Sequence, residues 1–350
     1  MLRGNGAAVS DRNSASLFVS ILLLPVVCQI NLQAQDVLSN AKFERSLSAS
    51  AKRVIFDSGA FTGQSTPLPQ WDKSYLVSHE IETYQPGAVN VRLYDRSGTR
   101  VREAAIWFPG SQRVLVYSAA ATSDGRIIAG GTAEKPDGAA APFIALTDLA
   151  GKVTNVIQTK GFFPVNICQA PDGSVWSFGS TGFDENSQPK PGDTLRHFDL
   201  QKGEVGSFLP RSTFPKHPAP EIKAYIRCTD DGVIAYSAKT HQYIEMKYAD
   251  DSPSLYRISS DLPLVGFAVI GSKDVYGYFS RAGNGGLYYL SLDEAAKTAT
   301  WHAVKGAVGI HTAPGVVVGL WGSDGENLVV SRAEDGAGNT ALHWAVLLNK

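Results

Sequence analysis

Short apolar stretches separated by turn residues recur along most of this chain. The clearest copy is residues 166–179 (NICQAPDGSVWSFG), where an apolar stretch, a Pro-Asp-Gly turn and a second stretch carrying Trp176 and Phe178 follow one another. Short apolar runs bounded by Gly, Pro and Asp are typical of β-strands joined by tight turns. The pattern therefore predicts a β-hairpin at this position.

Six units of this kind can be aligned on their turns. The intervals between successive turns run from 40 to 59 residues, which leaves room for four short strands in each unit. The aligned turns are Asp72-Lys73, Asp124-Gly125, Asp172-Gly173, Asp231-Gly232, Asp274 and Pro314-Gly315. Repeats of this length are the signature of propellers and related arrays.

In four of the units a second predicted hairpin follows the first. Apolar stretches at 90–94, 142–147, 194–198 and 287–292 each run into a turn that begins with Asp. Since four strands make one propeller blade, we expect an all-β fold: a single β-propeller of six four-stranded blades over residues 53–350. Seven blades is the alternative, because residues 53–70 could contribute more than one strand. The apolar residues 340–349 are expected to pair with the strand around Val54 and close the ring.

The N-terminus has the pattern of an export signal. Arg3 and Arg12 precede an apolar run at 17–27, and a small-residue cleavage pattern ends at Ala34. We predict a signal peptide over residues 1–34 and a flexible mature N-terminus over 35–52, so that the protein is secreted or periplasmic and keeps no stable membrane span after cleavage. The alternatives are an uncleaved membrane anchor and, on weaker grounds, a lipoprotein attached through Cys28.

Charge and cysteine content limit the partners and the cross-links. The 32 basic and 33 acidic side chains nearly balance, so no nucleic-acid partner is expected. Cys168 lies five residues before its turn glycine and Cys228 lies four before its own. Because neighbouring strand positions point to opposite faces, this offset favours two buried, unbridged cysteines, with a disulfide as the alternative in an oxidising compartment.

The segment QAPDGSVWSFG (residues 169–179) resembles the inner hairpin of NHL-repeat and streptogramin-lyase-like propellers. The resemblance implies a propeller fold. Streptogramin-lyase-like members hold a divalent metal with paired histidines and a carboxylate, one pair being spaced Glu-x-His. This sequence has no Glu-x-His and no Asp-x-His. We therefore expect no metal or other cofactor and a noncatalytic protein, with a metal-dependent lyase or hydrolase acting at the channel mouth as the alternative.

Two groups of residues are candidates for binding a protein, peptide or saccharide. Gln169, Arg227 and His311 are polar residues close to the aligned inner turns, where apolar residues would suffice, and they are predicted to contact a ligand at the channel mouth. Phe214 and His217 lie in a long Pro-rich loop and are predicted to border a second binding surface.

Overall fold

The chain divides into two compact units, residues 1–42 and 43–350. The computed structural model describes the following residues, all of them in the second unit: 45–47, 53–55, 69–182, 184, 190–214, 224–238, 240–250, 252–258, 263–281, 284–310, 317–332, 341–345 and 347–349. The predicted signal peptide lies outside the described residues.

The regular elements of the described residues are strands, apart from a 3-10 turn at Arg211–Thr213. The first fifteen strands are β1 (Arg45–Leu47), β2 (Arg53–Ile55), β3 (Gln70–Asp72), β4 (Tyr75–His79), β5 (Glu82–Thr83), β6 (Val91–Tyr94), β7 (Arg100–Ala104), β8 (Arg113–Ala121), β9 (Ile127–Glu134), β10 (Ala140–Thr147), β11 (Val153–Gln158), β12 (Phe163–Gln169), β13 (Val175–Ser180), β14 (Asp193–Asp199) and β15 (Gly203–Pro210). The others are β16 (Ala224–Cys228), β17 (Gly232–Ser237), β18 (Gln242–Lys247), β19 (Ser254–Ile258), β20 (Leu264–Ile270), β21 (Asp274–Arg281), β22 (Asn284–Asp293), β23 (Thr298–Ile310), β24 (Val317–Ser323), β25 (Leu328–Arg332), β26 (Ala341–Ala345) and β27 (Leu347–Asn349).

In the described part of the chain these strands form six antiparallel sets of four. From the inner to the outer strand they are set I (β3-β4-β6-β7), set II (β8-β9-β10-β11), set III (β12-β13-β14-β15), set IV (β16-β17-β18-β19), set V (β20-β21-β22-β23) and set VI (β24-β25-β26-β2). Parallel pairs join sets IV and V through β19 and β23, and sets VI and I through β24 and β3.

The sets contact one another in a closed order. Inner strands β8, β12, β16, β20 and β24 each contact the next, β24 pairs with β3, and β4 contacts β8. This is the arrangement of a β-propeller, so the prediction of an all-β propeller is confirmed. The number of blades in the whole chain stays a prediction.

The ring closes where the sequence predicts it. In set VI the outer strand β2 comes from the start of the unit, and Val54 pairs with Leu342 of β26. Such closure covers a sheet edge that would otherwise be open to other chains. The hydrophobic pattern does not predict β1, which lies within residues 35–52 and pairs with β27 and β23.

Apolar side chains fill the interfaces between neighbouring sets. Ile127 and Ile128 are adjacent in β9 and both are fully buried. Ile127 belongs to the cluster between sets I and II, whereas Ile128 belongs to the cluster between sets II and III. Both faces of a strand are therefore covered, which explains why its sequence does not alternate between apolar and polar residues. Burying each of these side chains contributes roughly 2 to 3 kcal/mol.

The register predicted for the sixth unit is wrong. The alignment takes Pro314-Gly315 as its inner turn, but those residues precede β24, which is the innermost strand of set VI. The inner hairpin turns instead after β24, where the amide of Asp324 donates to the carbonyl of Asn327 and Gly325 has a φ of 96°. A Pro-Gly pair also occurs in connections between units, so it does not identify a hairpin.

Cys168 and Cys228 form a disulfide, which corrects the favoured prediction of two unbridged cysteines. Cys168 of β12 and Cys228 of β16 are bonded, with their Cα atoms 5.5 Å apart. The one-residue offset places the two side chains on opposite faces of their own sets. Neighbouring sets pack face to face, so one face of set III contacts the opposite face of set IV, and the two cysteines meet at that interface. The offset of one residue between the two cysteines is present in the structure, but the prediction that it keeps their side chains apart is wrong.

A search of the described residues for a helix long and apolar enough to cross a membrane finds none.

Candidate functional site

Two of the predicted ligand residues lie beside the inner hairpin turns. Gln169 is the last residue of β12, and Arg227 is the next-to-last residue of β16. The structure joins Gln169 to Lys73 of the first inner turn, and the neighbouring Asp72 acts on Arg227 through its charge. Sequence reasoning selected neither Lys73 nor Asp72. We refer to these four residues as the inner-turn cluster.

Lys73 connects set I with set III. Its backbone is in the left-handed region, with a φ of 55°, and its carbonyl accepts a hydrogen bond of 2.9 Å from the indole of Trp71. The Nζ atom donates to Oε1 of Gln169 at 2.7 Å. The amide of Gln169 in turn donates to the carbonyl of Gly173 at 3.2 Å. Both side chains are thereby held in one orientation.

Asp72 connects set I with set II and supplies a negative charge to the cluster. Its Oδ2 atom accepts the backbone N–H of Ala121 at 2.9 Å. Burial lowers the pKa of Lys73 and that of Arg227, and the Asp72 carboxylate opposes this lowering because it stabilises the charged form of each.

Arg227 is a fixed cation between sets IV and V. One terminal nitrogen, Nη1, donates to the carbonyl of Ile226 at 2.8 Å, and the other, Nη2, donates to the carbonyl of Phe267 at 3.0 Å. A guanidinium has five N–H donors. Three of those of Arg227 have no hydrogen-bond partner among the residues that the structure describes.

Burial outweighs the neighbouring charges at both cations. It is the largest influence on the pKa of Lys73 and of Arg227 and lowers both, while Asp72 acts in the opposite direction. Asp124 also raises the pKa of Lys73, but this carboxylate already pairs with Arg126 at 3.0 Å. The cluster itself therefore holds two cations and one carboxylate, and within the described ranges neither cation has an ion-pair partner.

The disulfide lies between the two predicted ligand residues. Cys168 directly precedes Gln169, and Cys228 directly follows Arg227. Because adjacent strand positions face opposite ways, Gln169 and Arg227 point away from the interface that the disulfide joins. The disulfide thus fixes the spacing of β12 and β16, while the side chains of Gln169 and Arg227 lie outside the interface between these two strands.

The remaining predicted residues do not join the cluster. Phe214 is only 7% exposed and packs edge-on against Phe178 in the core between sets III and IV, so its predicted place on a loop surface is wrong. His217 and His311 lie outside the described residues.

No metal-binding group is found in the described part of the chain: no three His, Cys, Asp or Glu side chains are grouped so that they could hold an ion. The histidines that are described have other surroundings. His79 is buried with Nε2 3.2 Å from the carbonyl of Tyr117, and burial lowers its pKa to about 4. His197 stacks on Trp176 with ring centroids 4.4 Å apart.

One sequence signal could have identified Lys73. In three of the aligned turns the Asp is followed by Gly, at 125, 173 and 232. In the first turn Lys73 takes that position. A non-glycine residue is uncommon at a positive φ, so Lys73 differs from the glycines of the other aligned turns in a way that the sequence shows. Its contact with Gln169, 96 positions away, could not be read from sequence.

Comparison with known proteins gives structural similarity at low sequence identity. No protein-family model matches the chain, and no curated protein matches it. Among solved structures, it is similar to a streptogramin B lyase (11% identity, TM-score 0.47, covering 85% of this chain and 88% of that chain). A virginiamycin B lyase from Staphylococcus aureus is also similar (12% identity, TM-score 0.43, covering 87% and 100%).

A third similar structure is a member of the DUF4221 family from Bacteroides vulgatus (11% identity, TM-score 0.45, covering 88% and 99%). These similarities agree with the structural resemblance predicted from the repeat. The strand pairing described above shows the propeller fold.

Proposed function

We propose that this protein is an exported, noncatalytic β-propeller that binds a protein, peptide or saccharide at the inner-turn cluster. The observation that carries the proposal is the way in which the Arg227 guanidinium is held. Two backbone carbonyls from neighbouring sets hold its guanidinium, and three of its donors have no partner in the described residues. A cation that is held in place and has further N–H donors can form charge-assisted hydrogen bonds to a ligand.

The position of the cluster supports the same proposal. Inner-turn residues of several sets contribute to it, so a ligand there contacts rigid strand ends from different parts of the chain. Polar groups held by a preformed scaffold bind with less loss of conformational freedom than mobile loops.

The disulfide and the apolar leader both support export. Disulfides form and persist in oxidising compartments and are rare in reducing ones, and Cys168 and Cys228 are bonded. The apolar run at 17–27 with basic residues before it is the pattern of a secretory signal. We place the mature protein in the periplasm or outside the cell.

The experiment that tests this function compares wild type with Arg227→Gln on peptide and glycan arrays. Arg100→Gln is the matched control, because Arg100 lies on the outer strand of set I and pairs with Glu103 at 2.8 Å. We expect the arrays to contain ligands that bind Arg227→Gln at least about tenfold more weakly than wild type, which is the size expected for a hydrogen bond to a charged group. The same ligands should bind Arg100→Gln as tightly as wild type.

Two results would overturn the proposal. One is that no ligand distinguishes Arg227→Gln from Arg100→Gln. The other is that a bound ligand is chemically consumed and that a chelator stops the reaction, which would establish the metal-dependent lyase or hydrolase instead.

A further inference from the structure

We propose that the outer edge of set II binds an extended peptide of another protein, which adds to β11 as a further strand. The peptide would have a β-branched centre and acidic residues at its ends. This site is separate from the inner-turn cluster and does not depend on the function proposed above.

The backbone of β11 has hydrogen-bonding groups that face outward. Among the described residues β11 is the last strand of its sheet, in the order β11-β10-β9-β8-β5. The N–H of Thr159 donates to the carbonyl of Pro142 at 3.1 Å, so Thr159 and, two residues earlier, Ile157 direct their backbone groups towards β10. Successive residues of an antiparallel strand alternate between its two edges. The N–H and C=O groups of Val156 and Gln158 therefore face away from β10.

A cavity of about 310 Å³ lies along this edge. Residues 155–160 line one side of it, and residues 200–204, from the outer turn of set III, line the other. The side chain of Asn155 donates to the carbonyl of Leu200 and so holds the turn against β11. Strand addition combines backbone hydrogen bonds, which give affinity, with a pocket for side chains of the added strand, which gives specificity. The edge of β11 and the adjacent cavity supply both.

The second wall of the cavity is ordered, and its charges are paired. The Oδ1 atom of Asp199 accepts the N–H of Gln201 at 2.8 Å and that of Lys202 at 2.9 Å, which fixes the turn. The Nζ atom of Lys202 lies 3.7 Å from the same carboxylate, and Glu204 pairs with Arg196 at 2.7 Å. A preformed wall of this kind reduces the conformational entropy lost when a peptide binds.

The sequence of β11 lacks the features that protect other outer strands. It reads VTNVIQ and contains no charged residue, proline or glycine. By contrast, β7 of set I carries two arginines and a glutamate, and β15 of set III carries a glutamate and ends in Pro210. The outer strands of sets IV and V pair with each other, and β2 of set VI has only three residues. Charges, prolines and short length all hinder pairing with another chain. Among the six described sets, β11 is therefore the outer strand best suited to accept a further strand.

Lysines at the two ends of β11 indicate the charge of the peptide. Lys152 precedes the strand and Lys160 follows it, and both are exposed. The carboxylate of Asp148 accepts the N–H of Lys152 at 2.9 Å, so Lys160 is the stronger source of positive charge. The same lysines disfavour a second copy of this chain as the partner. Two β11 strands related by a two-fold axis would place Lys152 of one copy near Lys160 of the other, and like charges opposite each other are destabilising.

Fluorescence anisotropy with labelled synthetic peptides tests the inference on the full-length protein. The acidic probe is Ac-Asp-Val-Thr-Val-Thr-Val-Asp-NH2, and the basic probe has Lys in place of both Asp residues. The acidic probe is expected to bind, and the basic probe is expected to bind at least about threefold more weakly, as for exposed ion pairs. This difference should decrease as salt is added, because salt screens exposed charges.

Methylation of the peptide backbone distinguishes strand addition from attraction by charge alone. One version of the acidic probe is N-methylated on every valine and the other on every threonine. Only alternate residues of an added strand donate to β11, so one version should bind at least about tenfold more weakly, as for the loss of two or more hydrogen bonds. The other version should bind like the unmodified probe.

Two variants locate the site on β11. Val156→Pro removes an outward-facing N–H that does not pair with β10, a position at which an edge strand accepts proline, and should weaken the acidic probe about fivefold. Lys160→Glu changes only an exposed charge and should weaken the acidic probe about threefold while strengthening the basic one. Lys135→Glu, in the exposed turn between β9 and β10, is the matched control and should bind like wild type. Thermal unfolding shows whether each variant retains the fold.

Four results would overturn the inference. They are that the acidic probe does not bind, that the two methylated probes bind equally, that Lys160→Glu binds the acidic probe like Lys135→Glu, or that the free protein is a dimer which Val156→Pro converts to a monomer. The last result would identify a second copy as the partner. Arg227→Gln should bind the acidic probe like wild type. Loss of binding in that variant would place the probe at the inner-turn cluster and would also overturn the assignment to β11.

Discussion

Lys73 Nζ lies 2.7 Å from Gln169 Oε1, joining the first inner turn to the end of β12 across 96 positions of sequence. The contact orients both side chains within one cluster, together with Asp72 and Arg227. Lys73 makes this contact from a turn position with a φ of 55°, where glycine is the usual residue.

Substitution at Lys73 should separate the backbone requirement from the role of the side chain. Lys73→Gly loses the bond to Gln169 but relieves the left-handed backbone, so its free energy of unfolding should stay within about 1 kcal/mol of wild type. Lys73→Ala loses the same bond without that relief and should be less stable than Lys73→Gly by about 1 kcal/mol. Urea denaturation measures both, and an alanine variant as stable as the glycine variant would contradict the prediction.

The Cys168–Cys228 disulfide should contribute strongly to stability, because it closes a loop with a sequence separation of 60. Chain-entropy estimates for a loop of this length give about 4 kcal/mol, and measured values often fall below such estimates. The double variant Cys168→Ala/Cys228→Ala should therefore lower the free energy of unfolding by about 2 to 4 kcal/mol. Wild type denatured in a reducing agent serves as the second arm and should show a similar loss. Equal stability of the oxidised and reduced proteins would contradict the prediction.

His79 should make stability depend on pH in the acidic range. Burial lowers its pKa to about 4 in the folded protein, from an unfolded value near 6.5. The unfolded chain thus binds the proton first, so the stabilising contribution is fully present above about pH 6.5 and is lost as the pH falls towards 4.

A comparison with His79→Gln isolates this contribution from other titrating groups. Between pH 7 and pH 4 the free energy of unfolding of wild type should fall by roughly 3 kcal/mol more than that of the variant, which corresponds to the shift in pKa. Parallel curves of stability against pH for the two proteins would show that His79 does not titrate as described.

Gly131 should be intolerant of any side chain, because β8 and β9 approach closely there. A Cβ atom at this position would lie 2.0 Å from the carbonyl oxygen of Leu115. Gly131→Ala should therefore lower the free energy of unfolding by about 1 to 3 kcal/mol, as overpacking does in other cores. Ala140→Ser adds one heavy atom at an exposed position of the same set and should be close to neutral. Thermal unfolding compares the two, and equal melting temperatures would contradict the close approach.

The architecture could be predicted from sequence because it depends on local signals. Acidic-glycine turns at a regular interval indicate hairpins, and adjacent apolar residues such as Ile127 and Ile128 indicate strands buried on both faces. Even the pairing of Val54 with the C-terminal strand follows from the need to close a ring. The turn and strand signals involve residues that are close together in the sequence, and the closing pair involves strands from the first and last parts of the propeller.

The site could be predicted only in part, because it depends on contacts between distant units. Gln169 and Arg227 were selected by position in the repeat, whereas Lys73 is identified by its contact with Gln169. The cysteines illustrate the same limit: strand parity gives the face of each residue, but only the packing of neighbouring sets shows that opposite faces meet. In the sixth unit a Pro-Gly pair was mistaken for an inner turn, whereas the inner hairpin turns after β24.

A crystal structure of the protein soaked in the array ligand that it binds most tightly tests the central claim most directly. The account predicts electron density for the ligand within hydrogen-bond distance of the Arg227 guanidinium. Density for the ligand only at another surface, with the inner-turn cluster unchanged, would contradict it.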